Sequence, residues 1–203
     1  MSDLARSRIP VTVVTGFLGA GKTTLVRHLL AHADGRRIAL IINEFGELGV
    51  DKEVLAGCGD ETCREEDMIE LSNGCICCTV GEDFIPAMQQ LLGRDERPDH
   101  IVIETSGLAL PQPLIRAFNW PEIKSAVTID GVVTLVDAAA LGEGRFAADE
   151  EAVEERRRAD EMIDHETPLG ELFKDQLVAA DLVVINKTDL VDADALARVE
   201  SEL

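Results

Sequence analysis

The glycine-rich stretch "GFLGAGKTT" (residues 16–24) has the residue types and spacing of a loop that binds phosphate. It fits the pattern G-x-x-x-x-G-K-[ST], and it follows an aliphatic run and opens an amphipathic one. Glycines let the backbone turn so that successive N–H groups face an anion, and the start of a helix adds partial positive charge. We therefore expect the phosphates of a bound nucleotide to be contacted by Gly16, Gly19, Ala20, Gly21, Lys22, Thr23 and Thr24.

Side chains suited to chemistry on a nucleoside triphosphate come from two places. Lys22 brings a positive charge near the β- and γ-phosphates, and Thr23 offers a hydroxyl to Mg²⁺. The stretch "HIVIETSG" (100–107) supplies Glu104 at the end of an apolar run, where an acidic residue would position the same ion. The E-T-S-G spacing then brings the Gly107 N–H towards a γ-phosphate. We predict Lys22, Glu104 and Gly107 as catalytic residues, with Thr23 and Glu104 as the Mg²⁺ ligands.

A base-recognition motif follows the last aliphatic run. The stretch "VVINKTDL" (183–190) contains N-K-x-D. Asp189 can accept hydrogen bonds from N1–H and N2–H₂ of guanine, and adenine has no such pair of donors. Asn186 can contact the base edge and brace the loops, and the aliphatic stem of Lys187 can lie over the ring. The motif therefore predicts GTP rather than ATP.

Three cysteines, Cys75, Cys77 and Cys78, stand within four residues just after Asn73-Gly74. A regular zinc finger is excluded because no second C-x-x-C pair or His pair lies at the right distance. In an extended segment Cys75 and Cys77 share a side, and the Asn-Gly turn would let two or three thiolates converge. We predict a transition-metal site, with a redox thiol pair or a packing role as alternatives. Thiolates suit Zn²⁺, Cu⁺ and tetrahedral Co²⁺, and intrinsic affinity favours Zn²⁺ over Co²⁺.

Three thiolates leave a tetrahedral ion one ligand short. Water, a side chain of a partner protein, or a carboxylate of "NEFGE" (43–47) would complete it, and Glu44 and Glu47 are the carboxylates in question. Cys58 and Cys63 form either an auxiliary metal site or two ordinary loop cysteines. For the histidines, surface or strand-end positions are the expectation, at His28, His32, His100 and His165.

Alternating aliphatic and amphipathic runs indicate the elements that position these motifs. Runs that are apolar throughout are typical of parallel strands buried on both faces. The β-α-β order predicts an α/β fold with a doubly wound, mostly parallel sheet. Strands are expected at 11–15, 38–43, 100–104, 131–136 and 182–186, with 68–71 as an extra strand. Helices are expected at 22–33, 82–92, 113–118 and 169–180, and a loop at 57–67.

Composition restricts the class of protein. The 203 residues are 46% hydrophobic, which suits one domain (9–203) after a tail (1–8). A net charge of −20 is opposite to what a nucleic-acid surface or an anionic membrane attracts. We expect no signal peptide and no membrane span, because the N-terminus lacks an apolar core and no apolar run reaches 18 residues. We expect a cytoplasmic protein, because the five cysteines cluster without a disulfide pattern. Residues 142–168 are highly charged, and we expect a partly helical surface insertion away from the phosphate motifs.

The order of five blocks resembles the CobW group of metal-handling P-loop GTPases, whose relatives serve urease and hydrogenase maturation. Within that group, "GCGDETC", "ALPQPLIRAFNWPEI" and the acidic insertion look like the cobalamin-biosynthesis branch rather than the zinc-linked one. The blocks are "GFLGAGKTT", "NEFGE", "GCICC" (74–78), "ETSG" (104–107) and "NKTD" (186–189).

The resemblance implies a GTPase that binds a transition metal, Co²⁺ in the first place, and delivers it to a cobalt chelatase or another metal-accepting protein. In relatives an acidic residue at the position of Glu47 is linked to metal. The family continues past N-K-T-D with a further strand and helix and a smaller C-terminal domain, so the resemblance implies a piece of a longer protein. Nucleic acid and membrane are not expected as partners, and a homodimer is left open.

Alternatives to this function remain at the level of sequence. A zinc-delivering relative would carry the same motifs. A nucleotide kinase would share the phosphate loop but would need neither N-K-x-D nor the cysteines. A non-catalytic metal store or redox sensor would bind metal equally with and without GTP. In the GTPase reading, "NEFGE" and "GCICC" occupy the switch positions between the phosphate loop and E-T-S-G, so GTP would assemble the thiolates and hydrolysis would release the metal.

Overall fold

The fold is that of a computed structural model, which describes residues 8–42, 68–71, 83–159 and 166–203. A six-stranded parallel sheet runs through its centre, with strand order β3-β2-β4-β1-β5-β6. The predicted doubly wound parallel sheet is confirmed, and so is the extra strand. The strands are β1 (Ile9–Gly16), β2 (Ile38–Ile42), β3 (Met68–Glu70), β4 (His100–Glu104), β5 (Val127–Asp137) and β6 (Leu182–Asn186).

Helices cover both faces of this sheet. The third helix begins with Pro111, where a residue without an N–H costs no helical hydrogen bond. In the part of the chain that the structure describes, no helix has both the length and the apolar composition needed to cross a bilayer. The helices are α1 (Lys22–Ala31), α2 (Ile85–Leu92), α3 (Pro111–Ala117), α4 (Ala138–Gly142), α5 (Glu150–Ala159), α6 (Leu169–Val178) and α7 (Ala193–Glu202).

The apolar core forms separate clusters on the two faces of the sheet, because successive side chains of a strand point to opposite faces. Val11 and Val13 of β1 point to one face, where α2 and α3 pack, and Val14 points to the other, where α1 packs. Strand β1 lies between β4 and β5, so it is buried on both faces and on both edges. The phosphate-binding stretch therefore follows an enclosed central strand of the sheet.

A third apolar cluster corrects the expectation for residues 142–168. Ala147 and Val153 are 1% and 0% exposed and pack in the same cluster as Phe17, which lies in the phosphate loop. The ring of Phe146 is centred 6.3 Å from that of Phe17 and 5.2 Å from that of Phe173 on α6. The expected helix is present as α5, but the location away from the phosphate motifs was wrong, because a few apolar residues within the charged stretch reach this core.

We predict that Val153→Ala lowers the free energy of unfolding by about 2 kcal/mol, since it removes two buried methyl groups and leaves a small cavity. Glu155→Ala on the same helix is exposed and should change the free energy of unfolding by no more than about 0.5 kcal/mol. Urea denaturation of the two variants measures the difference. Equal midpoints would contradict the packing of α5 on this core.

Candidate functional site

The candidate site lies at the carboxyl ends of β1, β4, β5 and β6. In the strand order, the chain proceeds from β1 to β2 on one side of β1, and from β4 it crosses to β5 on the other side of β1. A crevice forms at such a reversal of strand order, and ligands of open α/β sheets bind there. The phosphate loop, the E-T-S-G stretch and the N-K-T-D stretch all follow strands that end at this edge.

Backbone conformation at three glycines shapes the phosphate loop. Gly16, Gly19 and Gly21 have φ angles of 132°, 76° and 101°, which L-residues with a side chain adopt only with strain. A Cβ on Gly16 would lie 2.4 Å from the carbonyl oxygen of Leu135 on β5. A Cβ on Gly21 would lie 2.3 Å from Nδ2 of Asn186. The loop is therefore pressed against β5 and β6 in a way that only glycine permits.

Lys22 is the first residue of α1 and is 8% exposed. Its Nζ donates to the Phe17 carbonyl oxygen at 3.3 Å, and the Ala20 N–H donates to the same oxygen at 3.1 Å. Gly21 caps the helix without a side chain that could occupy the N–H groups of the first turn. The helix start thus combines a buried ammonium group with N–H donors, which suits a phosphate.

Thr23 and Glu104 meet across the site. The Thr23 hydroxyl donates to Oε1 of Glu104 at 2.8 Å, and Glu104 is 2% exposed at the end of β4. A hydroxyl and a carboxylate are hard oxygen ligands of the kind that Mg²⁺ prefers. The structure brings together the two residues predicted to hold this ion. Thr24, the next residue of α1, is exposed.

The E-T-S-G stretch lies directly against the phosphate loop. The Thr105 N–H donates to the Val14 carbonyl oxygen at 3.0 Å, which continues the pairing of β4 with β1 by one residue. A Cβ on Gly107 would lie 2.7 Å from the backbone nitrogen of Leu18. Gly107 therefore sits beside the phosphate loop, where its predicted role requires it to be.

The N-K-T-D stretch is tied to the same loop. Nδ2 of Asn186, the last residue of β6, donates to the Ala20 carbonyl oxygen at 2.8 Å. Lys187 has a left-handed backbone (φ 59°), and its Nζ forms a 2.6 Å ion pair with Oδ2 of Asp137. Asp189 is exposed in the 3₁₀ turn Thr188–Leu190. The loop-bracing part predicted for Asn186 is visible, and Asp189 is accessible to a ligand.

Two residues outside the predicted set of site residues support the site. Asp137 accepts the N–H groups of Ala139 and Ala140 and so caps α4, in addition to pairing with Lys187. Gln176 of α6 is wholly buried behind the E-T-S-G stretch. A signal for Gln176 exists in the sequence, because helical spacing puts this polar residue on the apolar face of α6 with Leu172 and Phe173.

The predicted transition-metal ligands lie outside the described residues. Within the described ranges, no group of three or more His, Cys, Asp and Glu side chains could hold a metal ion. The thiolate site therefore stays a prediction, and the residues concerned are Cys75, Cys77, Cys78, Glu44 and Glu47, together with Cys58 and Cys63.

His100 marks the opposite end of the sheet. It begins β4, and its Nε2 lies 2.8 Å from the Thr12 hydroxyl. Burial lowers the pKa of the His100 imidazole, Asp130 acts to raise it, and Arg36 lowers it. A half-buried histidine at a strand start agrees with the structural position expected for it.

Residues 10–203 match the family described as CobW/HypB/UreG, nucleotide-binding domain. The chain is 66% identical over 198 residues to a protein of Sinorhizobium sp. named zinc chaperone CobW, covering 98% of this chain and 56% of the relative. It is 58% identical over 201 residues to a protein of the same name from Pseudomonas aeruginosa, covering 97% and 53%. The chain thus spans about half the length of these curated relatives.

A solved structure shares the fold. The zinc-bound YjiA GTPase of Escherichia coli superimposes with a TM-score of 0.58 at 28% sequence identity. The match covers 96% of this chain and 54% of the YjiA chain.

Two glycines of the phosphate loop, Gly16 and Gly19, predict different costs of an added methyl group, because a Cβ would meet close neighbours only at Gly16. Gly16→Ala should weaken GTP binding at least about tenfold and reduce stability, because backbone atoms of β5 cannot yield to the new Cβ. Gly19→Ala meets no atom within 4 Å, so only the backbone strain of about 1–2 kcal/mol applies. Titration with a fluorescent GTP analogue and urea unfolding compare the variants. Indistinguishable losses would show that the Leu135 contact does not shape the loop.

Proposed function

The chain belongs to the CobW/HypB/UreG family of nucleotide-binding domains, and from that premise we propose that it hydrolyses GTP and thereby controls delivery of a transition-metal ion to an acceptor protein. The proposal that the nucleotide is GTP rests on the 2.8 Å hydrogen bond from Asn186 to the Ala20 carbonyl oxygen, which joins the N-K-T-D stretch to the phosphate loop. A phosphate loop alone would suit many phosphotransferases. Its union with a guanine motif favours a GTPase over the kinase alternative.

The roles of the residues follow from their positions. The buried Lys22 and the first-turn N–H groups of α1 would bind the β- and γ-phosphates. The Gly107 N–H, beside the phosphate loop, would donate to the γ-phosphate of the triphosphate but has no such partner in the diphosphate. Electrostatic stabilisation of this kind is the main contribution of protein groups to phosphoryl transfer.

Thr23 and Glu104 fit Mg²⁺, since the hydroxyl and the carboxylate already lie 2.8 Å apart beside the phosphate loop. When bound, Mg²⁺ would neutralise charge on the phosphate oxygens. The net charge of −20 makes such neutralisation important, because a polyanionic ligand must otherwise approach an acidic protein.

The cargo proposed here is Zn²⁺, with Co²⁺ as the competitor. The similar proteins of Sinorhizobium and Pseudomonas are named zinc chaperones, and thiolate ligands intrinsically favour Zn²⁺ over Co²⁺. The resemblance of the sequence implied Co²⁺ before Zn²⁺, and the proposal reverses that preference. Cys75, Cys77 and Cys78 remain the proposed ligands, with Glu44 and Glu47 as candidates for the fourth position.

An acceptor protein is part of the proposal, because a metal carrier needs a recipient. The cobalt chelatase implied by the resemblance stands as the acceptor only if Co²⁺ is the cargo. The acceptor, a homodimer and a cytoplasmic location stay proposals for the whole protein, because the chain spans only about half the length of its relatives.

We predict that Asp189→Asn changes base selection from GTP towards xanthosine triphosphate. Asparagine presents a donor to the 2-oxo group of xanthine, whereas aspartate only accepts. The preference should shift at least about tenfold, the value of one charged hydrogen bond lost on guanine. Competition titrations with GTP and xanthosine triphosphate measure it. Asp192→Asn, three residues later, is a control, because the Asp192 side chain caps α7. An unchanged preference for GTP in Asp189→Asn would exclude "NKTD" as the base site.

The metal part is tested by titrating the reduced protein with Zn²⁺ and Co²⁺, with Mg²⁺·GTP and with Mg²⁺·GDP. We expect at least about fivefold tighter metal binding with GTP, and by linkage the metal should tighten GTP binding by the same factor. Affinity should rise with pH until the thiols are ionised, because each bound thiol releases its proton. Co²⁺ bound to thiolates in a tetrahedral site should show charge-transfer absorption and intense d–d bands.

Cys77→Ser should abolish that spectrum, and Cys58→Ser, the matched control, should change it little. Zn²⁺ should displace Co²⁺ at stoichiometric amounts. Retention of Co²⁺ against equimolar Zn²⁺ would restore cobalt as the cargo. Metal affinity that does not depend on the nucleotide would instead indicate a passive metal store.

A further inference from the structure

Gln176 presents both protons of a buried amide to one loop. The residue is 0% exposed, and its Nε2 donates to the carbonyl oxygens of Gly107 at 3.2 Å and Ala109 at 3.1 Å. Carbonyl oxygens only accept hydrogen bonds, so the NH₂ end of the amide must face the loop. The segment that follows E-T-S-G is therefore held from α6 by two hydrogen bonds from a single side chain.

The same helix also holds the phosphate loop. Phe173 precedes Gln176 by three residues and lies on the same side of α6. Its ring meets that of Phe17 edge-on at a centroid distance of 5.9 Å. The Thr134 hydroxyl of β5 donates to the Gln176 backbone carbonyl at 3.2 Å, which anchors the helix to the sheet. One helix face thus fixes the E-T-S-G loop relative to the phosphate loop.

Packing alone does not account for a glutamine at this position. Its Oε1 is buried and has no hydrogen-bond partner among the described residues. An unsatisfied buried amide oxygen is unfavourable, and methionine would fill a similar volume without it. What methionine cannot supply is the pair of donors to Gly107 and Ala109.

We propose that Gln176 is a positioning residue for GTP hydrolysis, which holds the Gly107 N–H at the γ-phosphate by fixing the carbonyl groups of Gly107 and Ala109. The inference rests on the proposed function, because it gives Gly107 a contact that GTP has and GDP lacks. Gly107 lies so close to Leu18 of the phosphate loop that a Cβ on Gly107 would not fit. Without the two hydrogen bonds from Gln176, the E-T-S-G loop would keep its apolar neighbours, but this short distance to Leu18 would no longer be fixed.

The test is Gln176→Met, read in three quantities: the affinity for GDP, the affinity for a non-hydrolysable GTP analogue, and kcat. We expect GDP affinity to stay within about twofold, while analogue affinity and kcat each fall about tenfold, the value of two lost hydrogen bonds. A purely structural role would lower both affinities together. Gln112→Met is the matched control, since Gln112 of α3 also donates to α6, at the Asp175 carbonyl oxygen, but within the described residues its side chain forms no hydrogen bond with the E-T-S-G loop.

A second variant, Gln176→Glu, covers the case in which Gln176→Met does not fold. Ionised glutamate has no proton to donate, whereas the protonated acid donates one. We expect kcat of this variant, relative to wild type, to rise as the pH falls, because protonation restores one donor. Equal losses of GDP and analogue affinity, or wild-type kcat in Gln176→Met, would overturn the positioning role alone. A wild-type protein that does not hydrolyse GTP would overturn the proposed function as well.

Discussion

The nucleotide site depends on the contact between Asn186 and the phosphate loop. The amide of Asn186 donates to the Ala20 carbonyl oxygen and occupies the space beside Gly21 that a Cβ would need. This contact joins the end of β6 to the turn between β1 and α1, although the two are far apart in sequence. Because each half of the site restrains the other, the phosphate and base halves of the site are already adjacent before a nucleotide arrives. Preorganisation of this kind reduces the ordering that binding must impose.

Sequence reasoning gave the parallel sheet correctly, and the three nucleotide motifs follow its strands as expected, because both depend on local patterns. Strands β1 and β5 extend beyond the expected ranges. Fully apolar runs identified β2, β4 and β6 to within a residue, and G-x-x-x-x-G-K-T placed the start of α1 at Lys22. Helix α4 was missed because it depends on the Asp137 cap, and five residues are too few for a periodic signal. The thiolates remain predicted only, since they fall outside the described residues.

The charged insertion shows a different limit of sequence patterns. Its composition is typical of a solvated surface, and a few apolar residues, among them Phe146, Ala147 and Val153, interrupt the charge. Their contacts with Phe17 and Phe173 are tertiary, and no local spacing announces them. Gln176 was missed for a related reason. Its position on an apolar helix face was readable, but its partners, the carbonyl groups of Gly107 and Ala109, become apparent only once the strands are assembled.

The third apolar cluster joins residues as far apart along the chain as Phe17 and Val199. A ribosome therefore releases the phosphate loop long before it makes the residues that support that loop, which include Gln176 and Asn186. Contacts between residues so far apart along the chain cost much conformational entropy to close, and such contacts form late in folding. The nascent chain would consequently emerge with its phosphate-binding motif already translated but not yet braced. Nucleotide capture would then have to wait until α6 and β6 have left the ribosome.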